Sequence, residues 1–505
     1  MPYGNTGYRW PLCSIASSGK LASMIDELAG RRLDPDLLAR ELGNWRTSSA
    51  SGPAYQGLAD GLRMLIVDGQ VPVGSQLPSE RALADVLRVS RTTVTAAYTQ
   101  MRDDGYLNAR RGARSTTALP VAAPRIAPII ATAASANLAA ATLAAPAAAV
   151  SQAFAEAAQE VAPYLHDIGI ELTGVAPLRV AIAERYCARG LPTHPDEIVV
   201  TTGALHAIGL ILATYTQPGD RVLVEQPTYH GALAAMATRG LRPVPVAMTQ
   251  DGWELDAVDA AVRQLSPSLA YLIPDNHNPT GRTLPPVGRT RLAQIITETR
   301  TRTIIDESIT DMWLDAEVPP PFAASMTSRR DLVLTVGSMS KSCWGGLRIG
   351  WIRAERSALT TIGALRPAID MGTPIVEQLA AAKLLVIADE LLPERRDVLR
   401  ARRTLLLALL EEHLPDWRPD PGKGGMSLWV RLPAPMSSAL SAAASRMGLE
   451  IPPGPRFGVD GTLERFIRVP FTLPDEQLTE AIVLLARAWR SVTGAAGLES
   501  HAVVV

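Results

Sequence analysis

The sequence predicts a multidomain chain: a small, mainly helical module ending in a hairpin, then an α/β unit around a mostly parallel sheet, then a smaller α+β unit. Three observations predict it. The 505 residues exceed what one hydrophobic core organises. Three short amphipathic patterns stand close together between residues 53 and 117 and run into an alternating segment. Beyond Ile170, β-branched runs alternate with helical patterns, the order in which parallel strands and their covering helices occur.

Composition narrows the class. Hydrophobic residues make up 47% and charged residues 20%, values of a folded chain rather than a disordered one. The net charge of -1 supplies no global field toward nucleic acid or an anionic membrane, so any such binding is local. Cys13, Cys187 and Cys343 are odd in number and far apart, without disulfide or metal-ligand spacing, which points to a reducing, cytoplasmic setting. The start, MPYGNTGYRWPLCS, lacks the apolar core of a secretory signal. The uncharged stretch Ile126 to Ala155 is mostly alanine, broken by Pro128 and Pro146, and reads poorly as a membrane span. Lysine is rare: Lys20, Lys341, Lys383 and Lys423 are the only four, and each is of interest because arginine cannot form an imine.

Residues 1–52 form a helical extension, with patterns LASMIDELA and DPDLLARELG, the second opened by Asp34 and a proline. Residues 53–117 read as helix, helix, tight turn, helix, wing. Leu58, Leu62, Leu65 and Ile66 mark the first helix; Ser79 caps a second through Leu87; Ser90 caps a third bearing Val94, Ala97, Tyr98 and Met101, which ends at Gly105. The hairpin turns at Arg111-Gly112. Arg81, Arg91, Thr92, Thr93, Arg110, Arg111 and Arg114 then gather on one expected face, which suits a helix entering a DNA groove. Pattern alone also allows a helical adaptor with a solvated arginine face.

Residues 118–150, alanine- and proline-rich, read as linker and arm. Residues 151–372 hold the runs EIVVT, RVLVEQ, RPVPVAM, LAYLIPD, RTIIDE and LVLTVGS as strands. Residues 373–492 hold two long helical patterns, the strands GMSLWVRL and ERFIRVPF, and a closing helix to about Trp489, followed by a tail, 493–505.

The chemistry gathers at strand ends, where open parallel sheets bind ligands. In GSMSKSCWGGLRIGW, Lys341 stands in a serine- and glycine-rich turn with Arg348 seven residues on, which suits an aldehyde bearing a phosphate as well as it suits a surface loop. Asn278 in YLIPDNHNPTG can donate to a phenolate, and Asp306 in RTIIDES can hold a pyridine nitrogen protonated. TTGALHAIG offers the amides of Gly203, Ala204 and Leu205 to a phosphate, and EQPTY presents Tyr229 for stacking. No residue cluster has metal-ligand spacing.

The run PSERALADVLRVSRTTVTAAYTQMRDDGYLNARRGARS resembles the winged helix-turn-helix of GntR-type transcription regulators. That resemblance implies a homodimer reading two half-sites of operator DNA, with Arg81, Ser90, Arg91, Thr92, Thr93 and the wing around Gly112 at the DNA. Residues 170 to 490 resemble the pyridoxal-phosphate-dependent aminotransferases of the aspartate aminotransferase fold. By that resemblance Lys341 is the Schiff-base lysine and sole catalytic residue, Asp306 the pyridine-nitrogen partner, Asn278 the O3' donor and Tyr229 the stacking ring. Ser338, Ser340 and Arg348 join Gly203 and Ala204 around the phosphate, and Arg468 in FIRVPF holds an amino-acid carboxylate; on pattern alone Arg468 is also a strand arginine paired to a surface acid. The chain departs from close relatives where Ser308 and Ile309 replace a tyrosine near O3', and where Ala204 and Leu205 replace polar residues at the phosphate helix. These departures weigh against efficient transamination and leave binding intact.

The fusion of both halves is similar to MocR-type transcription regulators. The resemblance implies a head-to-tail dimer whose effector is pyridoxal 5'-phosphate or its amino-acid aldimine. Two other readings stand beside it: an aminotransferase carrying a DNA-binding appendage, and a DNA-binding protein whose large domain only dimerises.

Overall fold

A computed structural model describes residues 32–43, 45, 53–108, 114–119, 136–249, 251–316 and 319–499. The pattern LASMIDELA, Cys13, Lys20, the turn at Arg111-Gly112 and the first half of the linker lie outside the described residues.

The amino-terminal head is built as its capping residues dictate. Asp34 Oδ1 accepts from the amides of Asp36 and Leu37 at 3.0 Å each and starts helix Pro35–Leu42. Helix Ala54–Val67 buries Leu58, Leu62, Leu65 and Ile66. Ser79 Oγ accepts from Ala82 N to start Glu80–Leu87, and Ser90 Oγ accepts from Thr93 N to start Arg91–Asp103. Val94, Ala97, Tyr98 and Met101 face inward as their spacing predicts. Strands Leu107–Asn108 and Thr116–Thr117 pair antiparallel at the base of the wing.

The middle of the chain forms an eight-stranded sheet. Its order is Ile198–Thr201, Gly350–Arg353, Val333–Ser338, Thr303–Asp306, Leu269–Leu272, Arg221–Gln226, Arg242–Thr249, Gly252–Trp253. All six expected strands are present. Two more complete the sheet, and both run antiparallel: Gly350–Arg353 inserts between Val333–Ser338 and Ile198–Thr201, while Gly252–Trp253 closes the far edge. Helices cover both faces, and the buried strand residues feed two apolar cores, one on each side.

The carboxy-terminal lobe has a three-stranded antiparallel sheet, Arg418–Asp420, Ser427–Arg431 and Phe466–Pro470. Helices Ala388–His413, Ser437–Arg446 and Asp475–Glu499 pack on it, the last running ten residues past Trp489. Packing draws the lobe limits differently from composition. Helix Ile375–Val386 shares the core of the sheet lobe, and so does helix Ala147–Glu160. The arm joins the other lobe: Ala136–Asn137 pairs with Leu449–Glu450, and Leu138 and Leu143 are buried there. Alanine-rich composition carries no signal for this split, because the arm is held by backbone pairing and two leucines. Among the described residues, no helix is long and apolar enough to cross a membrane.

Candidate functional site

A cavity of about 310 Å³ opens between the two lobes at the carboxyl ends of the parallel strands. Every cofactor and substrate residue expected from sequence lines it except Gly203, which caps the helix beginning at Ala204 on its wall.

Lys341 follows the strand Val333–Ser338 and stands half-buried at the cavity wall. Its Nζ donates to Ala141 O and to Thr142 Oγ1, both at 2.8 Å, on the arm of the opposite lobe. The surrounding protein strips water from the ammonium, and Arg468 and Arg348 repel it; Asp306 only partly offsets them, so the amine is pulled down to about 8. Such an amine is a nucleophile at near-neutral pH.

Asp306 ends the strand Thr303–Asp306 and is buried. Its Oδ2 accepts from Tyr271 O–H at 2.6 Å and its Oδ1 from Ser308 N–H at 2.9 Å, which fixes the carboxylate plane. Burial, then the charge of Asp306, push the Tyr271 phenol far above its ordinary range, so it stays a donor.

Across the cavity, Gly203 has φ +91°, a left-handed conformation, and a Cβ there would lie 2.8 Å from an Arg348 nitrogen. Arg348 donates to Thr202 O at 3.0 Å and lies over the open amino-terminal turn of helix Ala204–Tyr215. Guanidinium and free helix amides together form an anion seat. Ser338 Oγ accepts from Ser340 N–H at 3.1 Å beside it.

Arg468 is 3% exposed on the strand Phe466–Pro470, which removes the surface-pair reading. Its guanidinium donates to Ala139 O, lies 5.0 Å from the Phe457 ring, and is pulled down to about 10 by burial. Tyr229 meets His230 edge-on at 5.1 Å. Burial and the repulsion of Arg468, Arg456 and Lys341 pull the His230 imidazole down to about 3, so it is neutral.

Sequence reasoning missed three contributors: Tyr271, His230 and the arm residues Ala139 to Thr142. A phenol inside the buried run LAYLIPD was a usable signal, since a buried Tyr O–H needs a partner. The arm acts through carbonyls, which side-chain chemistry does not advertise.

In the head, Arg81, Ser90, Arg91, Thr92 and Arg114 are exposed and Thr93 is partly so. Ser90 Oγ lies 2.7 Å from Thr92 Oγ1 and 2.8 Å from Thr93 Oγ1, so both threonines are ordered by the cap. Arg91 reaches Glu80 at 3.5 Å with its side chain 72% exposed, leaving it available to a ligand. Arg110, Arg111 and Gly112 lie outside the described residues.

The cavity fits pyridoxal phosphate. Asn278 Oδ1, Ser308 Oγ, His230 Nδ1 and Arg468 Nε are buried in its lining without a hydrogen-bond partner, so the lining is suited to a polar occupant. An amine, an anion seat and a fixed carboxylate stand in one cavity. Among the described residues no group of His, Cys, Asp or Glu forms a metal site.

Comparison with known proteins agrees with this geometry. Residues 133–485 match the family Aminotransferase class I and II, and residues 54–116 match bacterial regulatory proteins of the gntR family. The chain is 33% identical over 303 residues to the HTH-type transcriptional regulator YdcR of Escherichia coli K12, spanning 58% of this chain and 64% of that one. It is 31% identical to the 2-aminoadipate transaminase of Thermus thermophilus, over 63% of this chain and 80% of the enzyme. The regulator YdeF of Bacillus subtilis 168 aligns over 89% of this chain and 98% of its own length at 26% identity. Among solved structures, the α-aminoadipate aminotransferase LysN of Thermus thermophilus, complexed with N-(5'-phosphopyridoxyl)-L-leucine, superposes with a TM-score of 0.66 at 27% identity, covering 71% of this chain and 93% of that one. With cavity, fold and both domain matches in this order, the chain belongs to the aminotransferase class I and II family and carries an amino-terminal gntR-family domain, the arrangement of MocR-type transcription regulators.

Proposed function

We propose that the protein is a pyridoxal-phosphate-binding transcription regulator that holds operator DNA as a homodimer in the cytoplasm and responds to the cofactor, alone or with an amino acid. The observation that carries this reading is the amine of Lys341, lowered to about 8, facing Asp306, Arg348 and Arg468 in a chain whose other end presents an open recognition helix. When bound, pyridoxal phosphate supplies an aldehyde for a lysine amine and an electron-poor ring. Lys341 gives the amine and sheds its proton from Nζ near neutral pH. Asp306, oriented by Tyr271, keeps a proton on the ring nitrogen. Asn278 would donate its side-chain amide to the phenolate oxygen, and Tyr229 would offer its ring for stacking. Arg348, Ser338, Ser340 and the amides at Gly203 and Ala204 hold the phosphate. Arg468 holds the carboxylate of an amino-acid ligand.

Arg81, Ser90, Arg91, Thr92, Thr93 and Arg114 form the described part of the DNA face, to which the resemblance to GntR-type regulators adds Arg110, Arg111 and Gly112, outside the described residues. Differential affinity of the cofactor for two arrangements of the heads would shift DNA binding by the same free energy. Likeness to the Thermus 2-aminoadipate transaminase over 80% of that enzyme favours a second reading, an aminotransferase with a DNA-binding appendage. Titration with pyridoxal phosphate, beside a gel shift on DNA flanking its own gene, tests both. The regulator gives an imine band that Lys341→Ala abolishes and a DNA affinity that moves with the cofactor. Duplex affinity indifferent to cofactor overturns it, and amino-group transfer at enzyme-like rates favours the second reading.

A further inference from the structure

We infer that the DNA-binding head is seated across the junction of the two lobes, and that Gln226 is the joint through which occupancy of the cavity reaches it. The inference rests on the function proposed above and names how that site is read out.

Gln226 is the last residue of the strand Arg221–Gln226 and is 2% exposed. Its Nε2 donates to Gly69 O at 3.0 Å, just past the first long helix of the head. Its Oε1 accepts from Val459 N–H at 3.0 Å in the carboxy-terminal lobe. A single buried amide therefore ties three bodies together, one through each end. Neither end can let go without leaving a buried polar group unpaired.

Both neighbours of this joint lead to the cavity. Two residues on, Thr228 N–H donates to Phe457 O at 2.8 Å, and Tyr229 follows in the cavity wall. The Phe457 ring lies 5.0 Å from the Arg468 guanidinium and 5.3 Å from His230, edge-on. The same short segment then reaches the head. Leu463 N–H donates to Val67 O at 2.6 Å, and the space over Gly69 is so small that a Cβ there would lie 2.8 Å from Leu463 Cδ2. Buried Asp68 sits between Arg465 Nε at 3.4 Å and a nitrogen of Arg431 at 3.5 Å.

Residues 457–465 thus touch the cavity wall at one end and the head at the other. Gln226 ends a strand of the sheet lobe, whereas Val459 and Leu463 lie on the segment that leads into the strand Phe466–Pro470 of the other lobe, with the Val459 side chain packed on the sheet lobe's core and Leu463 beside Phe457 and Trp429. A ligand that changes the spacing of the lobes moves these anchors apart or together, and the head cannot keep all its contacts unchanged. Polar contacts at Gln226 and Asp68 stand in this seam beside the packing of Leu463 on Gly69. By reciprocity, a head held by DNA alters the cavity in turn.

Hydrogen exchange on the full chain reads the joint directly, because the amides of Leu463, Val459 and Thr228 each report one contact. In cofactor-free protein, Gln226→Ala is expected to speed exchange over residues 57–68 and 459–463 by roughly tenfold while helix Arg91–Asp103 stays folded. Unchanged exchange overturns the joint whether or not cofactor binds. In wild type, pyridoxal phosphate is expected to change exchange at 457–465 and to alter duplex affinity. In Gln226→Ala the imine band persists and the effect of cofactor on duplex affinity shrinks at least severalfold; an undiminished effect overturns the inference. Should Gln226→Ala not fold, Arg465→Ala, which removes one of the two cations on buried Asp68 of the head and leaves Arg431, takes its place with the same expectations. Absence of an imine band in wild type sinks the functional reading instead, and the cofactor-free comparison then decides the joint by itself.

Discussion

The Lys341 amine offers the sharpest quantitative test. Its value of about 8, against 10.5 for an ordinary lysine, means that at pH 7 roughly one amine in ten is neutral rather than one in ~3,000, a gain of about 300-fold in nucleophile. The perturbation is pH, and the reagent is pyridoxal without its phosphate, because a phosphate dianion beside the amine would push it back up. Growth of the imine band should follow the neutral amine, with its midpoint near pH 8. Lys383 contributes little background: Glu160 and Glu156 hold its ammonium in an ion pair and push it upward. The sign of each neighbour is also fixed. Arg468→Met or Arg348→Met removes a repelling charge, so the midpoint rises and the rate at pH 7 falls. Asp306→Asn removes an attracting charge, so the midpoint falls. A wild-type midpoint near 10, or band growth that survives Lys341→Arg, would refute this account of the cavity.

Three other outcomes are expected. Tyr271→Phe deletes the 2.6 Å donor to Asp306 and should weaken pyridoxal phosphate retention by about 1–3 kcal/mol in equilibrium dialysis; an unaltered Kd contradicts the orienting role. Ser90→Ala removes the recognition-helix cap, costing about 1 kcal/mol, so amide exchange in Arg91–Asp103 should quicken roughly fivefold, and equal protection would argue against it. Arg91→Ala should change sequence preference and cost about 1–3 kcal/mol on the operator, whereas Arg114→Ala should weaken all duplexes alike and flatten the salt slope by about one; equal losses for both on specific and random DNA would count against that division.

Much of the architecture was legible because the deciding features are side chains at fixed offsets. Asp34, Ser79 and Ser90 announce helix starts, and each caps as its position predicts. The cavity was legible because Lys341, Asp306, Asn278 and Tyr229 follow strands that read as apolar runs, and parallel strands deliver their ends to one edge. What escaped is equally physical. The strand Gly350–Arg353 is four residues long, follows a glycine-rich turn and runs antiparallel, and direction leaves no mark in composition. Tyr271 reads as core because its ring is core; only its hydroxyl tip works on Asp306. Lobe limits escaped because helix Ile375–Val386 is apolar on much of its surface, so the sequence does not say which neighbour it will choose.

The arm carbonyls have a chemical corollary. Ala139 O already accepts from one nitrogen of the Arg468 guanidinium, whose Nε is left unpaired, and Ala141 O accepts from the Lys341 ammonium, so a newcomer at either group meets a resident acceptor. A peptide carbonyl is a neutral acceptor, and only a formally anionic oxygen outcompetes it decisively for a guanidinium. On the role proposed for Arg468, an ester or amide of an amino acid would meet a rival of equal strength, while the free acid would displace it. The backbone carbonyls of Ala139 and Ala141, in a run of residues without polar side chains, are thus the neutral partners with which an anionic ligand at Arg468 or Lys341 would compete.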